Sequence, residues 1–194
     1  MTARDNPFAT DRAERLLRFR SEWIGSSMSE LTSRWEKLHR RAAITGRHGA
    51  GKSTLLDSWA THLGVQNQPV TRLFLNRDTR TLTPDQWHAI EDCHGKTILL
   101  DGEGHLSWKE RRKVHQLSQN AAGLLVTRHK KGSLPILCHL NPDIEILHRC
   151  VRKLAPEEYP SLAPNFPRWW KQHRGNIRDI LLECYDSITR CHMQ

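Results

Sequence analysis

GRHGAGKST (46–54) places Gly46, Gly51, Lys52 and Ser53 at the fixed positions of the pattern Gly-x-x-x-x-Gly-Lys-[Ser/Thr]. The pattern has a physical meaning. Glycines let the backbone curl so that successive amides point inward at a phosphate, the lysine reaches the β and γ oxygens, and the next hydroxyl is a ligand for magnesium. Such a loop leaves a strand and opens a helix, and both flanks agree. RAAIT (41–45) is a short strand with an apolar end, while TLLDSWATHLG (54–64) carries Leu55, Leu56, Trp59 and Leu63 at helical spacing and stops on Gly64. The helix N-terminus adds partial positive charge at the phosphate. The whole loop, Gly46, Arg47, His48, Gly49, Ala50, Gly51, Lys52, Ser53 and Thr54, is therefore expected to cradle a nucleoside triphosphate.

Outward from this loop, strands and helices alternate. PVTRLFLN (69–76), KTILLDGEG (96–104), GLLVTRH (123–129) and PILCHL (135–140) have strand character. Between them, TPDQWHAIEDC (83–93) starts on Thr83-Pro84, and SWKERRKVHQLSQNAAG (107–123) starts on a Ser107 cap with Glu110 three residues later. This order predicts an α/β three-layer sandwich with a parallel central sheet. Residues 1–9 look irregular, and 11–40 read as helical, broken near Gly25-Ser26-Ser27. Beyond Pro142 the strand signal stops, leaving helices over 143–154, FPRWWKQH and GNIRDILLECYDSITRC. Three parts follow: a mostly helical N-terminal segment (1–40), a nucleotide-binding core (41–142) and a helical lid (143–194).

A triphosphate site needs magnesium held from a second side, by an acid at the end of a neighbouring buried strand. TILLD supplies Asp101, which together with Ser53 makes the expected magnesium set. Along an extended strand Asp101 and Glu103 point the same way, so Glu103 is expected either to polarise water or to stand behind the metal. The next strand ends in VTRH. In a parallel sheet this end lies on the ligand side, where Thr127 and His129 are placed to meet the γ-phosphate, with Arg128 as a charged alternative. A polar strand exit without contact is the bland reading.

The chain has 194 residues, enough for one domain with a small appendage, and its formal charge of +9 favours anionic partners. The excess is diffuse. Clusters such as KERRK (109–113) and RHKK (128–131) read as solvated helix faces or as a nucleic-acid footprint. The five cysteines have no paired spacing and suggest reduced thiols, and the twelve histidines have no zinc-ligand spacing. With no apolar run long enough for a bilayer, a soluble cytoplasmic protein is expected.

Taken together, GRHGAGKST, TILLDGE, VTRH and the late GNIRD resemble the additional-strand P-loop ATPases, especially the AAA+ and STAND groups, with Walker A and Walker B elements in order. The resemblance implies a first sensor within Thr127–His129 and a second sensor at Arg178, which would reach the γ-phosphate from the lid. VTRH also looks like the switch-histidine strand of ABC-type ATPases, which favours His129 as the contact. NPFATDRAERL is similar to the Pro-Phe-x-x-Arg segment that precedes such cores near the adenine. More narrowly, the chain looks like a group of small bacterial ATP-binding proteins with an Asp-Gly Walker B strand. There are departures: the sequence has no Leu-Ser-Gly-Gly-Gln signature and no guanine-reading Asn-Lys-x-Asp, and a winged-helix domain has no room after the lid.

The leading expectation is an ATP-binding, magnesium-dependent ATPase whose lid couples nucleotide state to an unidentified protein partner. Lys52, Ser53 and Asp101 hold the ligand, Glu103 activates water, and Arg178 reports closure. Two alternatives stay open: a small-molecule or nucleotide kinase with an acceptor pocket at NRDTR (76–80), and a nucleotide-gated binding module with negligible turnover. Trp169-Trp170 offers a stacking surface for nucleic acid or a lid core. Arg111 and Arg112 offer fingers across a subunit interface, which leaves an oligomer open, or a solvated face.

Overall fold

Apolar residues alternate across the central strands and so give the sheet two buried faces. A computed structural model describes residues 6–191; the first five and last three residues, part of the expected N-terminal segment and lid, lie outside the described range. The five strands are β1 (Arg41–Gly46), β2 (Val70–Phe74), β3 (Thr97–Asp101), β4 (Gly123–Arg128) and β5 (Ile136–Leu140). All pairings are parallel and the spatial order is β2-β3-β4-β1-β5. The fold is thus α/β, a five-stranded parallel sheet flanked by helices.

On one face Ala42, Ile44, Leu99 and Leu125 meet α2 (Met28–Lys37) and α3 (Lys52–Val65) through Leu31, Trp35, Leu55, Leu56, Trp59 and Leu63. The indoles of Trp35 and Trp59 pack edge to face with centroids 5.5 Å apart, fastening the two helices together. On the other face Ala43, Ile98, Leu100, Leu124 and Val126 meet α4 (Pro84–Glu91) and α5 (Trp108–Leu117) through Ile90 and Val114. This separation follows from the two-residue period of a strand. It also fixes the side chains that continue each row: Asp101 and Thr127 follow Leu99 and Leu125 on the α3 face, and Arg128 follows Val126 on the α5 face.

Helix ends agree with local chemistry. Ser27 and Glu30, Thr83 and Gln86, and Ser107 and Glu110 each form a reciprocal capping box. The break predicted near residues 25–27 is present: α1 (Thr10–Leu16) is followed by a short 3-10 turn over Ser21–Ile24, and Gly25 is left-handed before α2 starts.

A second core is helical. α6 (Ile144–Leu154), α7 (Tyr159–Leu162), α8 (Phe166–Gln172) and α9 (Ile177–Cys191) enclose Leu147, Val151, Leu162, Phe166, Trp169, Ile180 and Cys184. Trp169 is buried there and the half-buried Trp170 packs against the same cluster, so both contribute to this helical core. Phe8 and α1 join the same cluster, whereas α2 belongs to the sheet. The N-terminal segment is therefore divided between the two cores. Cys93, Cys138, Cys150 and Cys184 are unpaired and buried, and burial raises the thiol of Cys138 to about 11 and those of Cys150 and Cys184 to about 12. No described helix is long and apolar enough to cross a membrane.

Candidate functional site

β1 ends at Gly46, the loop turns through Gly49 and Gly51, and α3 starts at Lys52. Gly49 has φ +68 and Gly51 φ +87, left-handed values that few side chains tolerate. Lys52 folds back over this loop. Its ammonium donates to the carbonyls of Gly46 at 2.9 Å and Arg47 at 2.7 Å. Burial pushes Lys52 below its ordinary value, against a raising influence from nearby Asp101. Two of its three donors are thus spent on positioning it, and His129 Nδ1 lies 3.4 Å away.

His129 lies against the loop. Its Nδ1 is 3.1 Å from Gly46 O, and its ring lies on that of His48 with centroids 3.9 Å apart. His105, from the turn after β3, completes a cluster of three imidazoles with a centroid 6.5 Å from that of His129. Burial first, and then the charge of Lys52, lower both His48 and His129, which favours neutral rings. His105 has no spacing signal in the sequence; only the folding of β3 and β4 side by side gathers it.

Asp101 is nearly buried on β3, and β4 holds it. The Thr127 hydroxyl donates to Asp101 Oδ1 and accepts from the Gly102 amide at 2.8 Å. Thr127 therefore orients the acid, where the sequence reading expects a γ-phosphate contact. Ser53, at the first turn of α3, is exposed, and Thr54 is half-buried beside it.

Glu103 departs furthest from expectation. The strand ends at Asp101, Gly102 is left-handed with φ +82, and Glu103 opens a 3-10 turn. A Cβ on Gly102 would stand 2.2 Å from Leu75 O, so the turn requires glycine. Alternation is broken at that point, and the Glu103 carboxylate goes to the α5 face. It is fully buried, 2.7 Å from His115 Nε2 and 2.6 Å from Arg128 Nη2. In this arrangement it does not point at the Gly46–Thr54 loop. Arg111 and Arg112 lie on α5, also away from the loop.

The start of α9 packs on the loop. Arg47 turns outward, its Nη1 donating to Arg174 O at 2.8 Å and its Nη2 to Asn141 Oδ1 at 2.7 Å. At Gly49 an added Cβ would stand 1.8 Å from Asn176 Oδ1 and 3.1 Å from the Ile177 amide, so the start of α9 sits directly against the loop. Asn176 and Asn141 are contacts the sequence reading missed; only the Gly-Asn preceding Ile177 hinted at the first. Arg178, in the first turn of α9, is exposed and makes no hydrogen bond or ion pair among the described residues. NRDTR forms a turn closed by Asn76 Oδ1, which accepts from the amides of Asp78 and Thr79, both at 2.8 Å.

No protein-family model matches the chain, and a search of curated proteins finds no match.

Proposed function

We propose that the protein binds ATP with magnesium in the Gly46–Thr54 loop, hydrolyses it slowly, and uses the docked lid to couple nucleotide state to a protein partner. The observation that carries this reading is the convergence on one loop of the α3 N-terminus, the tethered Lys52 ammonium, His129 and the α9 N-terminus, with Asp101 held nearby by Thr127. The strand order supports the additional-strand group over the kinase alternative, because β4 lies between the loop strand β1 and the acid strand β3. Ser53 and Asp101 offer a hydroxyl and a carboxylate, the hard oxygen donors that suit magnesium when phosphates and water complete its shell. Among the described residues no cluster of three His, Cys, Asp or Glu side chains is placed to hold a metal by itself.

The role of Glu103 is proposed in modified form. With one oxygen on His115 and the other on Arg128, it must leave these partners before it can accept a proton from water. This observation also favours a second reading, a nucleotide-gated binding module with negligible turnover. Calorimetric titration with ATP and magnesium tests the common part. Wild-type protein is expected to bind and Lys52→Ala to lose binding with an unchanged circular dichroism spectrum; unchanged affinity in that variant would refute the loop's role. A phosphate-release assay on wild-type protein then separates slow hydrolysis from none.

A further inference from the structure

Trp108 is 68% exposed at the start of α5, and it is the one tryptophan of seven in the exposed class. Its indole covers no core, so folding does not account for it. The Arg112 guanidinium stands 5.7 Å from its ring centroid, steadying the indole at the mouth of a groove of about 400 Å³. The groove runs along α5, with Arg111, Arg112, His115, Gln119 and Ser133 in its wall. No acid lines it. Glu110, the one acid on α5, is turned to its capping partner Ser107 and to Thr81. Lys109 on the same helix and Lys130 and Lys131 on the following β4–β5 loop are exposed, whereas the Lys113 ammonium is held over the Trp87 ring at 4.4 Å.

Behind the wall lies a positive cluster short of acceptors. Arg128 is 4% exposed; its Nη2 is an ion-pair distance from Glu103 but off the line of a hydrogen bond, and its Nε and Nη1 have no acceptor. Arg111 Nε is buried and unpartnered too. A single carboxylate serves Arg128 and His115, and the charge of Arg111 acts on Arg128 as well. Buried donors without acceptors are costly, and of these two arginines Arg111 lines the groove, where an anion would meet it.

We propose that this groove binds a single strand of nucleic acid, with a base stacked on Trp108 and backbone phosphates on Arg111, Arg112 and the flanking lysines. An unpaired strand offers what the groove is built to meet: π-faces alternating with anionic phosphates. An acidic peptide would use the guanidinium groups but leave the indole bare, and a duplex hides its base faces. The groove belongs to the α5 face of the sheet, opposite α3, so this binding does not depend on the nucleotide reading.

Fluorescence anisotropy of labelled twelve-residue oligothymidylate and oligouridylate, titrated with nucleotide-free full-length protein, tests it. Wild-type protein is expected to bind at low salt, with quenching of tryptophan emission. Trp108→Ala, an exposed substitution, should weaken binding about tenfold to a hundredfold. Arg112→Gln should reduce the slope of log affinity against log salt by roughly 0.7. Absence of binding at low salt, or binding that both variants leave unchanged, overturns the proposal. Equal competition by polyglutamate would assign the groove to an acidic protein segment instead, and equal binding of a duplex would remove the stacking role of Trp108.

Discussion

Gly102 sends Glu103 away from the Gly46–Thr54 loop by the φ of one residue, and everything Glu103 does follows from that turn. In TILLDGEG the residue types are legible: Thr97 followed by three apolar residues and an acid mark a buried strand, and β3 spans Thr97–Asp101. The direction of Glu103 was not legible, because alternation holds only while the chain stays extended, and a glycine that continues a strand looks the same in sequence as one that ends it. Once turned, Glu103 compensates a guanidinium that is 4% exposed. Removing one partner of a buried pair leaves the other charged and desolvated, at a cost of about 3–5 kcal/mol. Glu103→Gln is therefore expected to lower the free energy of unfolding by about that amount in urea titration. A catalytic base facing an open site would leave stability nearly unchanged on the same substitution, so an unaltered urea midpoint would contradict the ion pair.

At the level of elements, the helices and strands were legible because their signals are local. Ser107 with Glu110 and Thr83 with Pro84 mark starts that both appear in the structure, and the core strands show in apolar runs such as TILL and GLLV. Strand order was less accessible, since β4 between β1 and β3 depends on contacts across about eighty residues of chain. Docking of α9 on the loop is equally non-local. Its fastening is specific: Arg47 donates to Arg174 O just before α9 and to Asn141 Oδ1 just after β5, so one of its two bonds ties the loop to the C-terminal helices. Arg47→Ala removes that tie, and with about 1 kcal/mol for one hydrogen bond the first turn of α9 should open roughly fivefold more often. Hydrogen exchange read at the amides following Ile177 measures this. Unchanged protection there would mean that the apolar lid core alone holds α9 in place.

For the molecule as a whole, two cores meet at one loop. The sheet owns the loop, and α1 and α9 both belong to the helical core. A ligand on the loop therefore lies at the junction between them, which is where binding can change how firmly the lid is held. Arg178 is the residue through which such coupling is expected. It sits in the first turn of α9, where the helix dipole disfavours a cation, and it is exposed without a partner among the described residues, although that turn abuts Gly49. Glu183, the next acid along α9 after Asp179, pairs with His173 and leaves Arg178 uncompensated from that side. Under the proposed function the missing partner is the γ-phosphate. Arg178→Ala should then weaken ATP by about 1.5–3 kcal/mol, the range for a hydrogen bond to a charged group, and weaken ADP much less. Paired calorimetric titrations with the two nucleotides decide it: equal losses would show that Arg178 does not meet the γ-phosphate, and the exposed start of α9 would then be better understood as a docking surface for the protein partner.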